Sequence, residues 1–162
     1  MSGVDVKTPA KHLHEALVSI LIDSAGDLML DGRPVTVFSH LPEQEFTQKA
    51  LPMVIVERPQ LTESGPWGGD REHRVYTVPL AIADGAGARP GAMQEARERI
   101  ELLLDKLKSV LGRPENRNLG LPWLHVFYSL CSWDEQETEW SGNNLAVKAV
   151  TLTVPMTVAV GV

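Results

Sequence analysis

Apolar residues recur at helical spacing through Leu13, Leu17, Ile20 and Leu21, just after Thr8 and Pro9. Threonine suits an N-cap and proline the first helical turn, so the pattern predicts a leading helix that Gly26 ends. Asp31-Gly32 marks a turn, and the β-branched run 35–38 predicts a short strand. The polar stretch 42–49 reads as a loop before the apolar run 53–56, a second strand that Pro59 stops. Residues 60–71, which contain Gly65-Pro-Trp-Gly-Gly69, are rich in turn formers and predict a surface loop. From Tyr76 the pattern alternates. Tyr76, Val78, Leu80 and Ile82 face one way, and Thr77, Pro79, Ala81 and Ala83 the other. A period of two with one large apolar face predicts a strand in a sheet covered on one side.

Beyond a Gly/Ala/Pro loop at 84–91, the period returns to that of a helix. Met93, Ala96, Ile100, Leu103, Leu104, Leu107 and Leu111 form one stripe, while Glu95, Arg97, Glu98, Arg99, Glu101 and Lys108 lie mainly outside it. This predicts an amphipathic helix over about 94–111, ended by Gly112 and Pro114. The last third reads as a long hairpin. Residues 123–131 are strand-like, 133–140 continue them, and Ser141-Gly-Asn-Asn144 turns the chain. The return strand puts Val150, Leu152, Val154, Met156, Val158 and Val160 on one face, so a one-residue slip would expose the whole set. Thr77-Val-Pro-Leu-Ala-Ile-Ala has an echo in Thr153-Val-Pro-Met-Thr-Val-Ala, which chance suffices to explain. Both copies place a proline inside a strand, which implies an edge or a bulge at each. The element order predicts an α+β fold: one mostly antiparallel sheet, two helices packed on one face, and a long C-terminal hairpin. No linker interrupts the pattern, so residues 1–162 are read as a single domain.

Composition narrows the function. Hydrophobic residues are 43% and charged residues 22% of the 162-residue chain, as in ordinary globular domains. The net charge of −6, with no run of Lys or Arg, disfavours nucleic acid as a tight partner. A passage through which DNA must slide freely is still compatible with such a chain. The single cysteine, Cys131, cannot form an internal disulfide and gives no hint of secretion. The N-terminus lacks a basic start followed by an apolar run, so no signal peptide is expected, and no stretch is apolar enough to span a bilayer.

No catalytic, cofactor-binding or metal-binding residues are assigned. His12 and His14 are two apart on a helix and so face nearly opposite ways, while His40, His73 and His125 are scattered. Cys131, between Leu130 and Ser132, reads as a buried inert thiol. Gly85-Ala-Gly87 precedes the long helix but lacks the rest of a phosphate-cradling motif. The run Asp134-Glu-Gln-Glu-Thr-Glu139 would place Glu135, Glu137 and Glu139 on one face of a strand. Paired carboxylates serve glycosidases, but this run lies beside a hairpin turn, where a solvated acidic end is the simpler reading. Trp67 in its Gly/Pro loop and Trp140 beside a turn are candidate interface anchors, or else fold back onto their own domain.

The order and texture of these segments resemble a known family. A helix precedes Pro34-Val-Thr-Val-Phe38, and Leu51-Pro-Met-Val-Ile-Val-Glu57 is a strand entered through proline. His73-Arg-Val-Tyr-Thr-Val-Pro-Leu-Ala-Ile82 leads into Gln94-Glu-Ala-Arg-Glu-Arg-Ile-Glu-Leu-Leu-Leu104, and the chain closes on Val147-Lys-Ala-Val-Thr-Leu-Thr-Val-Pro-Met-Thr-Val158. In this the chain resembles the tail terminator and tail-completion (neck) proteins of long-tailed bacteriophages and of their prophage and gene-transfer-agent relatives. The likeness covers most of the chain, although no single motif in it is specific.

The resemblance implies a structural virion subunit, not an enzyme, that closes into a hexameric ring without a cofactor. The ring would cap the tail tube, face the head-tail connector, and let DNA through its lumen without specific binding. Its location would be the tail or neck of a virion assembled in the host cytoplasm, with no membrane partner. Another neck or tail-tube component would share the texture, and a small enzyme or ligand-binding domain would instead need a pocket of convergent polar groups. A head-to-tail ring needs two unlike surfaces on each subunit. The expected contributors are Trp67, Asp70 and Arg71 in the 60–71 loop, Arg89 in the 84–90 loop, and Asp134, Glu135, Glu137, Glu139 and Trp140 at the hairpin end.

Overall fold

The computed structural model describes residues 9–40, 51–87, 89–116, 124–126, 131–141 and 144–159. Helix α1 spans Pro9–Asp23 and buries Pro9, Leu13, Leu17 and Leu21. Helix α2 spans Ala92–Leu111 and buries its predicted stripe together with Ala92 and Val110, while Met93 is half-buried. Gly91, at φ +82°, precedes α2 without a side-chain cap, and the Gly112 amide closes the far end on the Lys108 carbonyl. Between the helices the chain makes β1 (Thr36–Phe38), β2 (Met53–Val56), β3 (Gln60–Gly68) and β4 (Arg71–Gly85). After α2 come β5 (Leu124–Val126), β6 (Ser132–Glu135), β7 (Glu139–Ser141) and β8 (Leu145–Ala159). The predicted loop at 42–49 lies outside the described residues, as do Val160 and most of the predicted strand 123–131.

The sheet is built around β4 and β8, which pair antiparallel from Arg71↔Ala159 to Gly85↔Leu145. On one flank β3 pairs with the first half of β4 and β2 with the second half, and β1 extends β2 in parallel. On the other flank β5, β6 and β7 pair in turn along β8. The fold is therefore α+β, with a mostly antiparallel mixed sheet. The C-terminal hairpin has one continuous arm, β8, and one interrupted arm.

Pro79 and Pro155 lie in these two central strands, and neither marks an outer edge or a bulge of its strand. Each instead sits where the flanking partner changes. Pro79 lies between the segments of β4 paired with β3 and with β2, and Pro155 lies between the segments of β8 paired with β6 and with β5. The Pro79 carbonyl accepts from the Glu57 amide at 2.9 Å, so this residue's backbone polar groups point outward, away from β8. Pairs 79↔151 and 75↔155 are four residues apart, hence of the same kind in an antiparallel ladder. The missing N–H of each proline thus falls where the described partner on its own flank changes. The sequence echo has a matching geometry: Thr77 pairs with Thr153, and the prolines stand two residues beyond it on their respective strands.

The even-numbered faces of β4 and β8 are buried from Tyr76 to Ile82 and from Val150 to Val158. They form one core with Val54 and Val56 of β2 and the stripes of both helices. Each fully buried Leu or Ile there contributes roughly 1.5–3 kcal/mol. Met53, Ile55 and Ala83 form a smaller cluster on the other face of the sheet. The predicted 60–71 loop is corrected to a strand and a tight turn. β3 is almost wholly exposed and takes its order from pairing with β4, with register shifts at Leu61/Glu63 and Pro66/Gly68. Gly69, at φ +60°, supplies the left-handed residue that the turn needs.

Candidate functional site

The predicted surface residues separate into two groups on opposite flanks of the sheet. Trp67, Asp70 and Arg71 lie at the tip of the β3–β4 hairpin. Trp67 is 58% exposed and stacks on His73 of β4, with ring centroids 5.7 Å apart and planes at 28°. The Nδ1 of His73 is buried without a hydrogen-bond partner. Arg71 is half-buried and donates through Nη2 to Thr157 Oγ1 at 2.8 Å and to the Thr157 carbonyl at 3.0 Å. It therefore fastens the hairpin to the end of β8, and Trp67 and Asp70 are the side chains left to face outward.

The acidic run is not a continuous strand. Glu135 ends β6, Glu139 begins β7, and residues 136–138 cross between them. The expectation that Glu135, Glu137 and Glu139 share one strand face is corrected accordingly. The Gln136 amide, which donates to the Ala149 carbonyl at 3.0 Å, anchors the crossing. Glu135 accepts from Lys108 of α2 at 2.6 Å and lies 3.6 Å from Lys148 of β8. The Lys108 ammonium, aided by Lys148, holds its carboxyl below the ordinary range. Lys148 has a side chain only 6% exposed and also reaches Glu101 at 3.2 Å. Glu101, Glu135, Gln136 and Lys148, with Arg97, Glu137 and Thr138, line a cleft of about 410 Å³. Thr138 Oγ1 is buried there without a partner. Asp134, Glu137 and Glu139 are exposed and make no ion pair among the described residues. The side chain of Trp140 lies outside the described residues, although its backbone pairs with Ala146. Arg89 pairs with Glu95 across the start of α2.

One charged cluster escaped the sequence reading. Asp84 has a side chain 0% exposed at the end of β4, on the core-facing register. Its Oδ2 accepts from Arg99 of α2 at 2.6 Å and from Arg33 at 3.2 Å, and its Oδ1 from the Gly85 amide at 2.8 Å. Arg99 also donates to the Gly85 carbonyl at 2.8 Å. Arg33 is brought there by the turn at Asp31-Gly32, where both residues have positive φ (+50° and +75°) and Leu30 and Arg33 exchange backbone hydrogen bonds. That is the geometry for which Asp-Gly is favoured. The cluster ties the first turn, the sheet and α2 together.

A further cleft, of about 470 Å³, opens between α1 and the chain leaving β1 and β2. Lys11, His14, Glu15, His40, Glu57 and Arg58 line it. His14 Nε2 donates to the Val56 carbonyl at 2.8 Å, which fixes that ring. Among the described residues, no three His, Cys, Asp or Glu side chains converge as metal ligands, and no helix is long and apolar enough to cross a membrane. Cys131 is half-buried, a correction to the expected full burial, and desolvation pushes its thiol up to about 12. The sequence matches no protein-family model and no curated protein.

Proposed function

We propose that this chain is a structural subunit of a ring, hexameric by the resemblance of its sequence, that caps a phage tail tube and joins it to the head connector. On this reading it acts by assembly, without catalysis or cofactor. The observation that carries the reading is the projecting β3–β4 hairpin. It extends the sheet beside the helix-covered core, exposes Trp67 near its tip, and is exposed along nearly all of β3. A hairpin so exposed buries little within its own subunit and is free to bury surface against another. The opposite flank is built from β5, β6 and β7 and exposes Asp134, Glu137 and Glu139, so the two flanks present unlike residues, as a head-to-tail contact requires. The length of β4 and β8, 15 residues each, also suits another neck or tail-tube component. Native mass spectrometry with negative-stain imaging tests the proposal: a six-fold ring supports it, and a monomer at every concentration removes it. Trp67→Ser combined with Trp140→Ser should keep the circular dichroism spectrum while weakening ring formation. Collapse of the fold would instead identify these tryptophans as structural.

A further inference from the structure

Gly85-Ala-Gly87, where β4 ends, lacks in its own segment the cation of a phosphate-cradling loop. The fold supplies one. The turn at Asp31-Gly32 brings Arg33 to the end of β4, where Arg33, Leu51, Gly85, Ala86, Gly87 and Asn144 line a cleft of about 250 Å³. We infer that this cleft binds a small oxyanion, of phosphate or carboxylate type, on the free edge of Arg33.

The charge here is not balanced. Arg33 and Arg99 both answer the carboxylate of Asp84. Arg99 holds its Oδ2 at 2.6 Å and the Gly85 amide its Oδ1 at 2.8 Å, so Asp84 is compensated without Arg33, whose own contacts are 3.2 and 3.5 Å. The charge of Arg33 is therefore in excess. The described lining residues include no carboxylate: Asp31, in the same turn as Arg33, is not among them, and Glu95 in the first turn of α2 is paired with Arg89.

The donors suit an oxyanion. Arg33 turns one N–H of each Nη to Asp84, and its Nε–H and the remaining Nη hydrogens have no partner among the described residues. Such a planar edge matches two oxygens of a carboxylate or phosphate. The Ala86 amide is committed to the Asn144 carbonyl at 2.8 Å, whereas the Gly87 amide and the Asn144 carboxamide have no partner among the described residues. Helix α2 starts beside the cleft, since a Cβ added at Gly87 would stand 3.9 Å from that of Ala92. The positive end of a 20-residue helix dipole thus adds to the field of Arg33.

Two-dimensional NMR of the full-length chain tests the site. Sodium phosphate and sodium acetate are titrated separately, with sodium chloride holding the ionic strength constant. Saturable shifts should centre on the Gly85, Gly87 and Asn144 amides and on the Arg33 Nε–H, with a Kd on the order of 1 mM. Saturation by phosphate alone supports a tetrahedral oxyanion, and saturation by acetate as well supports a carboxylate. Arg33→Gln should weaken binding about tenfold or more. Because Arg33 also touches Asp84, Gly87→Asp provides a second variant: it sets a carboxylate at the rim, where a Cβ meets only ordinary contact, and should weaken binding as much while leaving the urea midpoint unchanged. No saturation by either anion in the wild type would overturn the assignment, as would wild-type affinity in a folded form of either variant. The ring is tested separately, and neither result bears on it.

Discussion

Removing Arg99 should destabilise the protein more than removing Asp84, although the two groups share one ion pair. Arg99→Ala strands a carboxylate that is wholly buried, leaving it only the Gly85 amide and Arg33, whose longer contact comes from a side chain 44% exposed. Asp84→Ala strands two guanidinium groups, but Arg99 is 23% and Arg33 44% exposed, so both regain water. Breaking a buried pair by removing one partner costs about 3–5 kcal/mol. The upper end of that range applies to Arg99→Ala, and about 3 kcal/mol or less to Asp84→Ala. The two losses are one interaction counted twice, so the double variant should fall short of their sum by about 1–3 kcal/mol. Equilibrium urea unfolding, followed by far-ultraviolet circular dichroism, gives all three values. At a slope of about 2 kcal/mol per molar urea, a loss of 3 kcal/mol moves the midpoint by about 1.5 M. Strict additivity, or a larger loss for Asp84→Ala than for Arg99→Ala, would refute the reasoning.

Leu103→Asp places an unpaired carboxylate where α2 meets the sheet and should abolish soluble expression; a folded variant with an unchanged melting temperature would contradict that packing. Because the folded pKa of Glu135 is lowered, its ion pair stabilises the fold above the ordinary carboxylate pKa and is lost as pH falls through the lowered one. Carboxyl NMR titration should show the Glu135 midpoint rising toward the ordinary value in Lys108→Met, and an unchanged midpoint would exclude Lys108 as the cause. With its thiol pushed up to about 12, Cys131 should react with a disulfide reagent at pH 8 far more slowly in the native protein than in urea, and equal rates would refute the assigned desolvation.

Legibility in the sequence followed burial. Strands with one covered face declare themselves through a period of two, and both long strands were found where Tyr76–Ile82 and Val150–Val158 alternate. Helix α2 was legible because a half-buried helix must carry a stripe. The first part of β4 and all of β3 were missed because neither alternates in polarity; Arg71, Glu72, His73 and Arg74 are polar in succession. Their order comes from backbone pairing, of β3 with β4 and of β4 with β8, which no local pattern records. Asp84 was passed over as a loop residue because its partners lie 51 and 15 positions away in the chain. The acidic run was visible as charge. Its break at 136–138, and the capture of Glu135 by lysines from α2 and β8, are tertiary facts. Of the interface candidates, Trp67, Asp70, Asp134, Glu137 and Glu139 are exposed, and Arg71 is half-buried and bonded to Thr157.

The two prolines also have a mechanical meaning. The described outer partner changes from β3 to β2 between Thr77 and Leu80 of β4 and from β6 to β5 between Thr153 and Met156 of β8, whereas the β4–β8 pairing runs past both places unbroken. A plate jointed at both margins, at staggered heights, flexes along the oblique line joining the joints. The blade above that line carries β3 and β5; the base below it carries β1, β2, β6 and β7. Closing a ring demands that every subunit match the same curvature, and a compliant line lets each blade settle against its neighbour without disturbing the packing beneath the helices. Replacing Pro79 and Pro155 by valine should stiffen that line, and amide exchange along β3 and β5 would then slow while exchange along β2 stays as it was.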